Sequence, residues 1–305
     1  MVVKRNIFGY VQQRQLIPVP ERHDSAGFAT RNNNMNNAQF MEAVKECFGN
    51  LTENKVFLPE EAVEVPVLQE PLVGFASADD PLFDSYSDPQ IIGPDFRKPC
   101  EWMPEARSVA VFFFPFTDEI RTRHGESAGP VDEAWNIGYG NHQKIVDAFV
   151  NSLASVLSEQ GISSLAPAKD KSFKITPISV MSGDEEDTHY SVSWSNRHAG
   201  FVAGLGTFGI HRHLITEKGC CGGFGSLILD CELTPTERRY EEVYEYCIKC
   251  GACTERCPVS AITLEHFRNL KKCSAYAGQV RETYGGMCGR CLAGIPCANR
   301  IPSEA

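Results

Sequence analysis

Dense basic runs are missing from this 305-residue chain. The nearest approaches, Glu237-Arg238-Arg239 and Lys271-Lys272, are short and flanked by acids or cysteine. With 29 Lys and Arg against 39 Asp and Glu, the formal net charge is -10. Counterion release, which drives binding to nucleic acid, has little to draw on here. A long apolar stretch is missing as well. The opening MVVKRNIFGYVQQRQLIPVP carries basic residues with no apolar run after them, so neither a signal peptide nor a membrane span is expected. No internal repeat is visible apart from paired cysteine sets. These absences point to a cytoplasmic, reducing setting, low in oxygen, and to weak tRNA binding at most.

Cysteine is what the chain has in excess, thirteen in all. Eight fall in the last fifth. Cys247-Ile-Lys-Cys250-Gly-Ala-Cys253-Thr-Glu-Arg-Cys257-Pro258 has the C-x2-C-x2-C-x3-C-P spacing of bacterial ferredoxins, in which the first three thiolates hold one [4Fe-4S] cluster and the fourth reaches a second. Downstream stand Cys273, Cys288, Cys291 and Cys297. Crossed ligation then assigns Cys247, Cys250, Cys253 and Cys297 to one cluster, and Cys257, Cys273, Cys288 and Cys291 to the other. Zinc also takes four cysteines at C-x2-C spacing, but three in succession closed by Cys-Pro favour iron and sulfide. Cys47, Cys100, Cys220, Cys221 and Cys231 read as small buried hydrophobes.

Hydrophobic residues make up 42% of the chain and aromatic ones 10%, enough for a sizeable core. Residues 1–37 read as an arm, and 38–48 has helical spacing before Pro-rich extended chain. A short strand is expected at 72–76. The continuous apolar run 108–114 predicts a strand buried on both faces. A helix is expected at 142–160 with Gly161 as its stop, then strands at 174–181 and 226–229. The expected fold is an α/β (α+β) core with a C-terminal bacterial ferredoxin-like two-cluster domain. Its boundaries are 1–69 for the arm and extension, 70–240 for the α/β domain and 241–305 for the cluster domain.

Gly204-Leu205-Gly206-Thr207-Phe208-Gly209 matches the dinucleotide fingerprint, with Asp230 near the distance of a ribose-binding acid. The context fails, because no buried strand precedes it and Gly219, Gly222 and Gly223 would spoil the helix that should follow.

Arg197, the segment Ala203-Gly204-Leu205-Gly206 with Gly209, and Gly225-Ser226 before an apolar strand precede the eight cysteines. Together with Trp102-Met103-Pro104-Glu105-Ala106-Arg107, this arrangement resembles the epoxyqueuosine reductase and reductive dehalogenase superfamily over about residues 100–300. The resemblance implies a base-off cobalamin between the α/β domain and the clusters, held by Arg197, Ala203, Gly204, Leu205, Gly206, Gly209, His211, Gly225 and Ser226. It also implies a low-potential donor such as ferredoxin or flavodoxin. The D-x-H-x-x-G motif for a lower histidine ligand is absent, since Asp187-Thr188-His189 is followed by Val192 where glycine belongs. Where the epoxyqueuosine branch carries its proton-donating aspartate, counting back from Ala203 lands on Tyr190. A tyrosine there is what the dehalogenase branch uses, and Asp187 and His189 stand as alternative acids. The resemblance therefore implies a corrinoid-dependent reductase of a small molecule. An epoxyqueuosine reductase acting on tRNA and an electron carrier without corrinoid are the alternatives.

Overall fold

The computed structural model describes residues 35–59, 61–182 and 185–303. Residues 1–34 of the expected arm lie outside the described residues. The first helix, α1 (Asn37–Gly49), starts at a reciprocal cap. The Asn36 side chain accepts from Gln39 N at 2.9 Å, and Gln39 Oε1 accepts from Asn36 N at 3.0 Å. The helix lays Phe40, Ala43, Val44 and Cys47 into the core. There the Phe40 ring meets Phe75 edge-on at 5.4 Å and stacks on Phe112 at 6.3 Å. The hairpin β1 (Lys55–Leu58) and β2 (Val63–Pro66) follows in the segment expected to be merely extended.

The main sheet is built from β3 (Leu72–Ser77), β4 (Ser108–Pro115), β5 (Ser164–Leu165) and β10 (Gly222–Leu229), in the spatial order β3-β4-β10-β5. Every pairing is antiparallel. All eight residues of β4 are buried, as its unbroken apolar run requires. Alternation then divides the core in two. Ala110, Phe112 and Phe114 face the long helix and α1, while Val109, Val111 and Phe113 face the other side with Trp194 and Phe201. The short helices α2 (Leu82–Ser85) and α3 (Pro99–Trp102) cover that second side.

After α4 (Asp118–Glu126) comes α5 (Glu133–Glu159), capped by the Asp132 carboxylate accepting from Trp135 N. It begins nine residues before the expected start at 142. Gly138 and Gly140 weaken that stretch as a helix on propensity, yet Gly138 lets the helix close on Ile120, which a Cβ would meet at 3.0 Å. At the other end Gly161 takes φ +79° as expected.

One expectation is corrected. The strand read at 174–181 exists as β6 (Ile175–Ser182) but is not part of the main sheet. It pairs only with β7 (Glu185–Val192) as a separate hairpin. The strand expected at 226–229 lies within β10, which returns beside β4 in the opposite direction.

The glycine segment lies between α6 (Asn196–Val202) and a small ribbon of β8 (Gly206–Phe208) and β9 (Leu214–Thr216). The cysteine-rich end contains α7 (Ala252–Glu255), the pair β11 (Ile262–Thr263) and β12 (Phe267–Arg268), and α8 (Leu270–Tyr284). It folds back on the main sheet. Cys220 N donates to Cys297 O at 2.9 Å and Cys221 N to Ala298 O at 3.1 Å. Among the described residues no helix is long and apolar enough to cross a membrane.

Candidate cluster sites and cavity

The turn around Gly251, whose φ of +81° suits only glycine comfortably, swings Cys250 and Cys253 to one side of the α7 start. Cys247, Cys250, Cys253 and Cys297 thereby line one small void of about 20 Å³, walled by Ile210, Ile215 and Ile295. Four thiols converging on an apolar void fit a four-iron cluster in donor chemistry. Burial pushes the Cys253 thiol up to about 12, with Cys291, Cys297, Cys247 and Cys250 adding to the rise. In the second set, burial pushes Cys291 up to about 11. Arg268 opposes that rise, and Cys273, Cys288 and Cys257 reinforce it. The four thiols of this set are thus electrostatic neighbours, and they fit the same kind of group.

His211 is not beside the large cavity. Its Nε2 lies 3.4 Å from Cys297 Sγ, and Cys220 Sγ lies 4.0 Å from the same sulfur, all three buried. Cys220 is therefore more than core filler by position, although nothing in its sequence context sets it apart from Cys221.

A cavity of about 580 Å³ opens between α5, the β6–β7 hairpin, α6, the start of β10 and the Arg268–Ser274 stretch. Its size is that of a small-molecule site. Tyr139 and His142 enter from α5, His189 and Tyr190 from β7, and Arg197 from α6. Aromatic walls come from Phe173, Trp194 and Phe224, with side-chain amides from Gln90, Gln143 and Asn196. Tyr190 is 41% exposed. Asp187 is fully buried and outside the cavity lining. It accepts from Lys271 N at 2.9 Å and Thr188 N at 2.7 Å, and pairs with Arg212 Nη2 at 3.4 Å. Burial pushes its carboxyl up, but the His189 hydrogen bond, the backbone N–H of Lys271 and the Arg212 charge outweigh that and hold it below its usual range. Its role is to brace Arg212, whose Nη1 also reaches His189 Nε2 at 2.8 Å.

Of the residues expected to cradle a corrinoid, Arg197 lines the cavity and the glycine segment does not. Ala203 and Leu205 pack on β3, where a Cβ on Gly74 would strike Ala203 O at 2.3 Å. Gly204 lies against Thr236. Gly206, at φ +154°, leaves room for Ile215 O, which a Cβ would meet at 1.9 Å. Gly209 makes room for the His211 ring, and Gly225 for Val146. Ser226 stands one layer back. Its Oγ accepts from Trp194 Nε1 at 2.9 Å and donates to Asn196 Oδ1 at 2.8 Å, fixing two lining side chains. The sequence reading missed Tyr139, Asn196, Arg212 and Arg268 as lining residues. Of these, Arg212, set between His211 and His213, stands in a stretch that hints at a polar site.

The guanidinium of Arg268 joins the cavity to the cysteines. Its Nη2 donates to Cys273 Sγ at 2.9 Å, and Nη1 reaches His211 O at 3.2 Å and His213 Nε2 at 3.0 Å. Burial works against its charge, but the Cys291 and Cys273 thiols outweigh that and raise its pKa.

Residues 240–263 match the family model of the 4Fe-4S binding domain. That stretch contains Cys247, Cys250, Cys253 and Cys257. No curated protein matches the chain in sequence. Among solved structures, epoxyqueuosine reductase from Streptococcus thermophilus is similar at a TM-score of 0.50 and 14% identity, over 88% of this chain and 68% of that one. An epoxyqueuosine reductase solved with a tRNA-Tyr epoxyqueuosine-modified stem loop superposes at 0.50 and 15% identity, over 86% of this chain and 64% of its own. A tagged variant of a catabolic reductive dehalogenase superposes at 0.50 and 15% identity over 88% of this chain, which spans only 37% of that protein. The chain thus has the fold found in epoxyqueuosine reductases and in a catabolic reductive dehalogenase, with a 4Fe-4S binding domain towards its C-terminal end.

Proposed function

We propose that the protein is an iron–sulfur oxidoreductase that reductively cleaves a polar bond in a small molecule bound in the 580 Å³ cavity. One observation carries this reading: Arg268 touches the sulfur of Cys273 and the cavity at once. A carrier that only exchanged electrons at its surface would have no use for a large chamber against its second set of cysteines.

The clusters supply one-electron transfer when bound. Cys247, Cys250, Cys253 and Cys297 hold the outer one, with Cys250 exposed where a low-potential donor such as ferredoxin or flavodoxin docks. Cys257, Cys273, Cys288 and Cys291 hold the inner one beside the chamber. Cleavage of a bond R–X consumes two electrons and one proton, and gives R–H and X⁻. Tyr190 is the proton donor, because it lines the chamber and the Asp187 carboxylate is committed to Arg212. The aromatic walls and the amides of Gln90, Gln143 and Asn196 fit a broad, flat, amide-rimmed ligand, and these residues would hold a corrinoid. The chemistry a corrinoid supplies there is a metal centre that passes electrons to the bond being broken.

Reduction of epoxyqueuosine in tRNA is the second reading. The fold shared with the stem-loop complex favours it, and the net charge of -10 weighs against it. Anaerobic purification, with iron, sulfide and cobalt analysis and turnover assays on small haloaromatic and epoxide acceptors, tests the proposal. About eight irons and eight sulfides per chain are expected. Two zincs instead, or loaded protein inert towards every acceptor while a queuosine-deficient strain is rescued, would overturn it.

A further inference from the structure

The charges around the cavity do not balance, and the imbalance has a location. Three guanidinium groups reach it, from Arg197, Arg212 and Arg268. Asp187 offsets Arg212. Arg268 donates to the Cys273 sulfur. Arg197 has no carboxylate within ion-pair distance among the described residues. Its Nη1 has only Arg212 O and His213 Nδ1, both at 3.3 Å. Burial, and then the nearby Arg268 charge, pulls its guanidinium down from its ordinary value. Tyr139 and Cys291 oppose that pull, but a buried guanidinium without a carboxylate partner is expensive to keep, and an anionic ligand would relieve the cost.

His213 sharpens the point. Arg197 faces its Nδ1 and Arg268 faces its Nε2, at 3.3 and 3.0 Å. Burial, with Arg197 and Arg268, holds the ring neutral. A neutral imidazole has one N–H and one acceptor nitrogen. One of the two contacts therefore sets a donor against a donor. An oxyanion placed between Arg197 and the ring would accept from both and remove the conflict. Arg268 Nε and Arg212 Nε are also buried without a hydrogen-bond partner.

Resting on the reductase reading above, we infer that Arg197, with His213 and Arg268 behind it, is an oxyanion-binding site, and that the molecule reduced in this cavity carries a carboxylate or phosphate group. The planar fork of Arg197 suits two parallel hydrogen bonds to either group. Tyr190 lines the same cavity, so a substrate held by its anionic end at Arg197 presents its remainder to the proton donor.

Calorimetric titration of anaerobic, cluster-loaded protein with benzoate, phenyl phosphate, benzamide and inorganic phosphate tests this. The first three share a ring and differ in charge, and inorganic phosphate is small enough to reach Arg197 in any orientation. At least one anion should bind about tenfold or more tighter than benzamide, and the better of benzoate and phenyl phosphate identifies the group. Arg197→Gln should abolish the preference with iron content and cluster spectra unchanged. Should that variant fail to load, Arg197→Lys decides, because it keeps the charge but loses the fork and should weaken anion binding about tenfold. No anion binding, no anion bound more tightly than benzamide, or a preference surviving both substitutions overturns the site. Anion binding with no reduction of any acceptor would leave this site standing and remove the reductase reading. Reduction of neutral acceptors without anion preference would do the reverse.

Discussion

The Arg268 guanidinium donates to the sulfur of Cys273 at 2.9 Å, so a fixed positive charge sits between the inner cysteine set and the cavity. Reduction adds negative charge to a cluster, and a neighbouring cation stabilises the reduced form. Arg268→Met should therefore lower the midpoint potential of the inner cluster. A loss of about 1.4 kcal/mol corresponds to about 60 mV for one electron, measurable by a spectroscopic redox titration. An unchanged potential would show that the inner cluster is not built on Cys273.

Cys297 is assigned to the cluster of Cys247, although fifty residues separate them. Cys220 lies 4.0 Å from its sulfur and could replace it as a ligand. The informative variant is therefore Cys220→Ser with Cys297→Ser. Iron should fall from about eight to about four per chain, and the surviving signal should be that of the inner set. Retention of all the iron would refute the partition.

Tyr190→Phe removes one hydroxyl at the cavity rim, where the ring is already 41% exposed. Clusters and stability should be untouched, and turnover should fall by a factor of about 10² to 10⁴, as expected when a positioned proton donor is lost. Full activity in this variant would move the proton to His189, the other titratable β7 side chain that lines the chamber.

Gly206→Ala separates two explanations of the glycine segment. Were glycine needed there to admit a ligand, the ligand-free protein would tolerate the change. The structure gives the opposite expectation, since a Cβ would lie 1.9 Å from Ile215 O at a φ of +154°. Thermal unfolding should show a loss of more than about 1 kcal/mol without any ligand added.

Binding to tRNA should be weak at physiological salt, given the net charge of -10. Tight binding that falls steeply with salt in a gel-shift titration would promote the second reading.

Legibility from sequence followed the range of the interactions involved. β4 was readable because burial on both faces leaves an unbroken apolar run from Val109 to Phe114. The later half of α5 was readable from its stripe of Ile145, Val146, Phe149, Val150, Leu153 and Leu157. Its earlier half was not, because the contact of Gly138 with Ile120 overrides propensity and is invisible in a local window. The cysteine spacing carried the metal chemistry directly. The glycines at 204, 206 and 209, expected as a cofactor cradle, do not line the chamber; the absence of a Cβ serves a backbone carbonyl as well as a ligand. Arg268 could not be placed in advance: it comes seventy-one residues after Arg197, and only the folded chain brings both to His213.

The stitching of the cysteine-rich end to the main sheet has one further consequence. Besides the backbone bonds from Cys220 and Cys221, Trp135 Nε1 donates to Met287 O at 2.9 Å. Arg290 Nη1 donates to His124 O and Ser127 O at 3.0 and 2.8 Å, and Arg256 Nη2 to Gly125 O at 3.0 Å. The loops that carry the inner thiols thus take part of their shape from α4 and α5. The cysteine-rich end is therefore not an interchangeable plug. A foreign ferredoxin grafted after Tyr240 would bring its own metal but would leave Trp135, Gly125 and His124 without these partners, and an isolated C-terminal fragment would lack the walls that position its cysteines.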